Sequence, residues 1–308
     1  VKTRAGAGLV VLAVAVSGCG LVTTGGKKHA DRSYDVAGTD RGLTVRTNGT
    51  VEVVGADTAK VTVHERSFWT NDKNKPQATH TVRDGVLTLS ARCRTQFVMG
   101  GSCGVKYRVT VPRALAVTVH GQNGGLRVSG TTAPVDVRTD TGSISLVDVT
   151  GPSLRARTNS GGLVVSGRTG SADLNTDTGS IDAKALEATS VTASTGSGAI
   201  RLSGRVGRVN VRTDTGPVIG ENLTAPRVSA RTSAGTVRLT FAVAPDNVLA
   251  RTDTGAVAVA LPADTPYAIE TATDTGRTHL DRAVHRDSTA PRHLNLRTNA
   301  GPITVEPT

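Results

Sequence analysis

Val137–Leu146 reads VRTDTGSISL, and the same phrase returns down the rest of the chain. It reappears as ARTNSGGLVV at Ala156–Val165, LNTDTGSIDA at Leu174–Ala183, VRTDTGPVIG at Val211–Gly220 and ARTSAGTVRL at Ala230–Leu239. ARTDTGAVAV (Ala250–Val259), TATDTGRTHL (Thr271–Leu280) and LRTNAGPITV (Leu296–Val305) follow, and looser copies lie at Val119–Val128 and Val191–Leu202. The turn glycines are read as Gly124, Gly142, Gly161, Gly179, Gly196, Gly216, Gly235, Gly255, Gly276 and Gly301, 17 to 25 residues apart. Self-similarity at that period marks a repeat architecture.

Each phrase reads as strand, tight turn, strand. Apolar residues alternate with polar ones on both sides of the glycine, as in Val135, Val137, then Ile144, Leu146. Period-two alternation marks strands with one buried face, and glycine supplies the turn. A unit this short cannot bury a core by itself, so successive units must stack at about 4.8 Å. The expected fold is all-β: a single-stranded parallel β-helix or solenoid of about ten 18–21-residue coils with an N-terminal β-rich cap.

The residue three before the glycine faces inward and is nearly always threonine: Thr139, Thr158, Thr176, Thr213, Thr232, Thr252, Thr273, Thr298. A buried hydroxyl needs a partner, and stacked threonines are expected to bond to one another along the ladder. Two outward columns flank it. One holds Arg138, Arg157, Arg212, Arg231, Arg251 and Arg297; the other holds Asp140, Asn159, Asp177, Asp214, Asp253, Asp274 and Asn299. The arginines are a candidate binding face, and the alternative is a solvated, self-neutralising surface.

Composition bounds the rest. The chain has 308 residues, only 2% aromatic content and a formal charge of +11. Few aromatics suit narrow coils filled by Val, Ile, Leu, Ala and Thr. The charge invites a nucleic-acid partner, but stacking residues are scarce and an export signal precedes the repeats, so no nucleic acid is expected. Anionic envelope polymers or lipid headgroups suit a basic exported protein better.

Val1 stands where Met is expected, as with an alternative start codon. Lys2 and Arg4 precede the apolar run Ala5–Val16, which has signal-peptide length and is too short to span a membrane. Val16-Ser17-Gly18-Cys19 resembles the lipobox of bacterial lipoproteins. The resemblance implies a signal peptide over 1–18, a lipidated Cys19 and attachment to the outer face of the cell membrane. Residues 19–34 are expected to hold the lipidated cysteine and a flexible tether, 35–112 the β cap, and 113–308 the solenoid repeats.

Cys93 and Cys103 border strand-like runs and are expected to pair as a disulfide, which fits export. The scattered histidines form no tight ligand pair, so no metal and no cofactor is expected. Phe68, Trp69, Phe97 and Met99 cluster in the cap, either packing it or forming an exposed patch for a partner protein.

Two motifs tempt toward catalysis. Asp-Thr-Gly begins at Asp140, Asp177, Asp214, Asp253 and Asp274, but an aspartic protease needs two carboxylates that meet, and these read as turns. Gly100–Gly104 matches G-x-S-x-G, yet no helix follows it.

The run VKYRVTVPRALAVTVHGQNGGLRVSG (Val105–Gly130), continued by T-x-x-G-x-[IV] phrases, resembles the bacterial "putative adhesin" family of unknown function. The resemblance covers about Asp35 to Val305 and implies a solenoid in the cell envelope, in an actinobacterial-type lipoprotein; it implies no catalytic residues. The expected function is non-enzymatic surface or adhesion-like binding. The alternatives are a glycan-active β-helix enzyme of lyase or hydrolase type, or a self-associating envelope scaffold.

Overall fold

The computed structural model describes residues 21–24, 27–93 and 102–308. Its strands, in chain order, begin with β1 (Leu21–Thr24), β2 (Lys27–Val36), β3 (Gly42–Thr47), β4 (Val51–Ala56) and β5 (Val61–Trp69). Next come β6 (Gln77–Arg83), β7 (Val86–Arg92), β8 (Cys103–Pro112), β9 (Ala116–Gly121), β10 (Leu126–Ser129) and β11 (Val135–Thr141). The central strands are long: β12 (Ile144–Ser160), β13 (Leu163–Thr178), β14 (Ile181–Ser197) and β15 (Ile200–Thr215). The rest are β16 (Val218–Thr224), β17 (Arg227–Ala234), β18 (Val237–Phe241), β19 (Asn247–Thr254), β20 (Val257–Leu261), β21 (Ala268–Thr275), β22 (Thr278–Leu280), β23 (His293–Ala300) and β24 (Ile303–Pro307). They form one 24-stranded sheet, and the described residues add only a short 3-10 turn at Asp72–Asn74.

The repeat phrase is the ladder. Thr139 pairs in parallel with Thr158, Thr158 with Thr176, Thr176 with Thr195 and Thr195 with Thr213. The alternating apolar residues point into a continuous core in which Val137, Ala156, Leu174, Val211, Ala230 and Ala250 are fully or almost fully buried. Small side chains suit the narrow interior, where each rung has little room across it.

The buried threonines of this column have a different partner from the one expected. Thr158 Oγ1 donates to the carbonyl of Gly142 (3.0 Å), Thr176 to Gly161 (3.0 Å) and Thr232 to Gly216 (2.9 Å). The hydroxyl therefore satisfies the turn carbonyl of the coil before it, and the threonines do not bond one another. The stacked turn glycines are obligatory. Gly161 has φ +149°, and a Cβ there would collide with the carbonyl oxygen of Gly142. In the Val191–Leu202 copy this stacked position belongs to Gly198, with φ +156°, and not to Gly196 as the sequence suggested.

Stacking follows the sequence only in the middle. At the C-terminal end β23 pairs with β19 on one edge and β21 on the other, while β24 lies between β20 and β22. The last repeat is thus threaded between its two predecessors. Residues 281–292 carry the chain back to make that insertion, which is why the interruption there is the longest. At the N-terminal end β3 pairs with both β7 and β9, and β4 with both β8 and β10. The first repeat lies inside the second.

The expected division of the N-terminal region needs correcting. Gly42–Ala56 is an internal rung of the stack, so 35–112 is not a cap laid outside it. Antiparallel strands do the covering: β6 on β7, β5 on β8, then β2 on β5 and β1 on β2. The supposed tether is strand from Lys27 onward, with Lys28 opposite Trp69 and Val36 opposite Val61.

Candidate binding face

The face that carries the arginines is set by strand parity. Valine or alanine inward at one position and threonine inward two further on force the residue between them outward. Arg212 sits directly beside Arg231, Arg231 beside Arg251, and Arg251 beside Arg297, each one strand further along the ladder. All four are exposed. They line a groove of about 740 Å³ whose walls include Ser233, Asn247, Asp253, Glu270, His293 and Asn295.

The column is longer than the sequence showed. Arg46 pairs with His120 and His120 with Arg138, so both extend it toward the N-terminus. Arg138 Nη2 lies 3.0 Å from His120 Nδ1. Partial burial, then the charges of Arg138 and Arg46, hold the imidazole below its ordinary pKa. The spacing signal for His120 was present, four residues before Gly124. Arg157 joins the column opposite Arg138 and Asn175. Asn175 and Ser194 then interrupt it before Arg212.

The neighbouring column has an order that appears only in space. From rung to rung it reads Asp140, Asn159, Asp177, Gly196, Asp214, Ser233, Asp253, Asn299, Asp274, alternating acid and neutral throughout. Threading β23 between β19 and β21 is what keeps the alternation. Like charges facing each other on adjacent strands repel, and the alternation places carboxylates about 9.6 Å apart. No two acids of this column are neighbours, so none can share a proton as an aspartic dyad does.

The acids engage their own strand's arginine. Arg212 Nη2 is 3.3 Å from Asp214 and Arg251 Nη2 is 3.5 Å from Asp253. Arg231 and Arg297 stand beside Ser233 and Asn299, and among the described residues neither forms an ion pair.

Cys93 and Cys103 form a disulfide with Cα atoms 6.0 Å apart, and Asn48 Nδ2 donates to Cys93 Sγ (3.1 Å) and the Cys103 carbonyl (3.2 Å). Trp69 is buried and donates its indole N–H to Asp72 (3.1 Å), and Phe68 is half-buried, so this pair packs the fold and makes no exposed patch. Cys19, Phe97 and Met99 lie outside the described residues. Among the described residues there is no cluster of three or more metal-ligating side chains, and no helix long and apolar enough to cross a membrane.

One buried group was not legible beforehand. Glu65 on β5 faces inward between Arg32 and Tyr107, with Ser67 Oγ 3.4 Å away. Burial raises its pKa, opposed by Arg32.

The ladder of short parallel strands has counterparts elsewhere. The Toastrack DUF4097 family matches residues 42–306. The chain belongs to that family. Its fold is therefore a β-solenoid of the Toastrack kind, as the resemblance to "putative adhesin" proteins implied. A "putative adhesin" structure from Bacteroides fragilis is 13% identical, with 91% of this chain and 97% of that chain covered and a TM-score of 0.45. One from Parabacteroides merdae is 12% identical (91% and 96% covered, TM-score 0.45). A "putative lipid binding protein" from Parabacteroides distasonis is also 12% identical (90% and 96% covered, TM-score 0.40). No curated protein matches the chain.

Proposed function

We propose that this Toastrack chain is a single-stranded β-solenoid of about ten 18–21-residue coils, lipid-anchored through Cys19 outside the cell membrane. It acts as a non-enzymatic binding protein of the envelope, and its arginine face holds anionic wall polymer. The observation that carries this reading is the run Arg212–Arg231–Arg251–Arg297 on four adjacent strands above one groove, with acids on only two of those rungs. A stack of like charges one strand apart opposes folding, so its presence without full neutralisation argues for an external counter-charge.

The groove's carboxylates argue against glycan cleavage. Asp253 and Glu270 lie two rungs apart and on residues that are offset along the strands by about 13 Å. Paired glycosidase carboxyls lie no more than about 9.5 Å apart. Glu270 is also held by Asn295 Nδ2 at 2.9 Å.

The test is co-sedimentation of the purified protein with cell-wall sacculi across a salt series. Retention should fall with salt and should be lost when Arg212, Arg231, Arg251 and Arg297 are all changed to Gln. Retention that ignores both salt and these four residues would remove the reading.

A further inference from the structure

The charge on the arginine face has a period of its own, twice that of the backbone. Arg212 and Arg251 are engaged by Asp214 and Asp253, whereas Arg231 and Arg297 are beside Ser233 and Asn299. In space these alternate: engaged, free, engaged, free. The two free guanidinium groups are two rungs, about 9.6 Å, apart along the axis. Asp253 sits on the rung between them, so an anion held there would face a carboxylate. Beyond Arg297 the next rung offers Ala272 flanked by Glu270 and Asp274, which closes that end of the groove to negative charge.

The groove wall between the charges is neutral and hydrogen-bonding. Ser233, Asn247 and Asn295 line it, and the residues around it include no aromatic ring besides His293. Such a wall suits hydroxyl groups and gives bases nothing to stack on.

Resting on the anionic-polymer reading above, we propose that this groove selects a linear acidic glycan with one carboxylate per disaccharide. Successive carboxylates would meet Arg231 and Arg297, and the intervening neutral sugar would pass over the Asp253 rung. A polymer charged on every sugar, or more densely still, would be forced to place a negative charge beside Asp253. Arginine suits the task because its planar fork meets a carboxylate through two parallel hydrogen bonds.

The experiment measures binding of the full chain to three fluorescent probes of equal length at one low ionic strength. They are hyaluronan oligosaccharide (a carboxylate on alternate sugars), oligogalacturonate (one on every sugar) and inorganic polyphosphate. Hyaluronan should bind most tightly. The double variant Ser233→Asp and Asn299→Asp neutralises the free rungs and should weaken that binding about tenfold, the combined effect of two exposed charge pairs. Asp253→Asn removes the intervening carboxylate and should improve oligogalacturonate relative to hyaluronan. If wild type binds oligogalacturonate or polyphosphate as tightly as hyaluronan through the same four arginines, the spacing inference fails and the arginine-face reading stands. If no probe binds and sacculi are not retained either, both fall.

Discussion

At the scale of single residues, the interior is governed by hydrogen-bond accounting on the threonine–glycine pairs. Thr232 is 4% exposed and its hydroxyl satisfies the Gly216 carbonyl at 2.9 Å. Thr232→Val keeps the shape and leaves that carbonyl short of a partner, which should cost about 1 to 2 kcal/mol. The urea midpoint of unfolding reads it. Ala185 sits at φ +47°, in the left-handed region where Asp148 (+53°) and Asn222 (+50°) are also found. A Cβ there is unfavourable by about 1 kcal/mol, so Ala185→Gly should raise the midpoint despite the added freedom of the unfolded chain. A lowered midpoint would show that the strain has been relieved by neighbours.

Glu65 makes the N-terminal region pH-sensitive. Its folded pKa is raised above the unfolded value near 4.5, chiefly by burial, so the folded state holds the proton more firmly. That contribution is fully present below the unfolded pKa and is lost as pH rises through the folded one. Glu65→Gln should therefore stabilise the protein at pH 7 and give little gain at pH 4. Denaturation curves at the two pH values decide it; a gain that did not change with pH would mean that packing, not ionisation, is responsible.

At the scale of elements, the sequence was most informative where one residue type has one geometric use. Glycine at the crowded stacked turn, threonine two residues beyond a small apolar residue, and the alternation around them fix strand, turn and facing together. Two kinds of information were not local. Gly196 and Gly198 are both compatible with the repeat phrase, and only stacking on Gly179 and Gly216 separates them. Residues 27–34 looked like part of a polar tether because β2 is covered on one side only, with Asp31, Ser33 and Asp35 on its outer face. The disulfide Cys93–Cys103 joins the end of β7 to the start of β8, the outermost rung of the stack. Replacing both cysteines by serine should cost about 2 to 3 kcal/mol, the chain-entropy value for a loop this short.

At the scale of the molecule, the arrangement of the ends decides both stability and charge. Repeat phrases are nearly interchangeable, so neighbours in sequence are the natural guess for neighbours in space. Besides the long interruption at residues 281–292, a clue to the contrary is compositional: β21 has Thr271 where the equivalent inward residue of β23 is Leu296, as suits the rung with least cover. Threading pairs β23 and β24 on both edges, and leaves β21 and β22 with one paired edge among the described residues. An outer strand with one partner opens by local fraying, whereas an inner strand opens only when its neighbours do. Amide hydrogen exchange should therefore be slower in His293–Ala300 and Ile303–Pro307 than in Ala268–Thr275 and Thr278–Leu280, although the former lie nearer the C-terminus. Sequential stacking requires the reverse order. It would also place Asp253 directly against Asp274, two carboxylates on adjacent strands with no neutral rung between them, and would separate Arg297 from Arg251. The exchange order thus tests the geometry on which the alternating charge of the binding face depends, before any ligand is added.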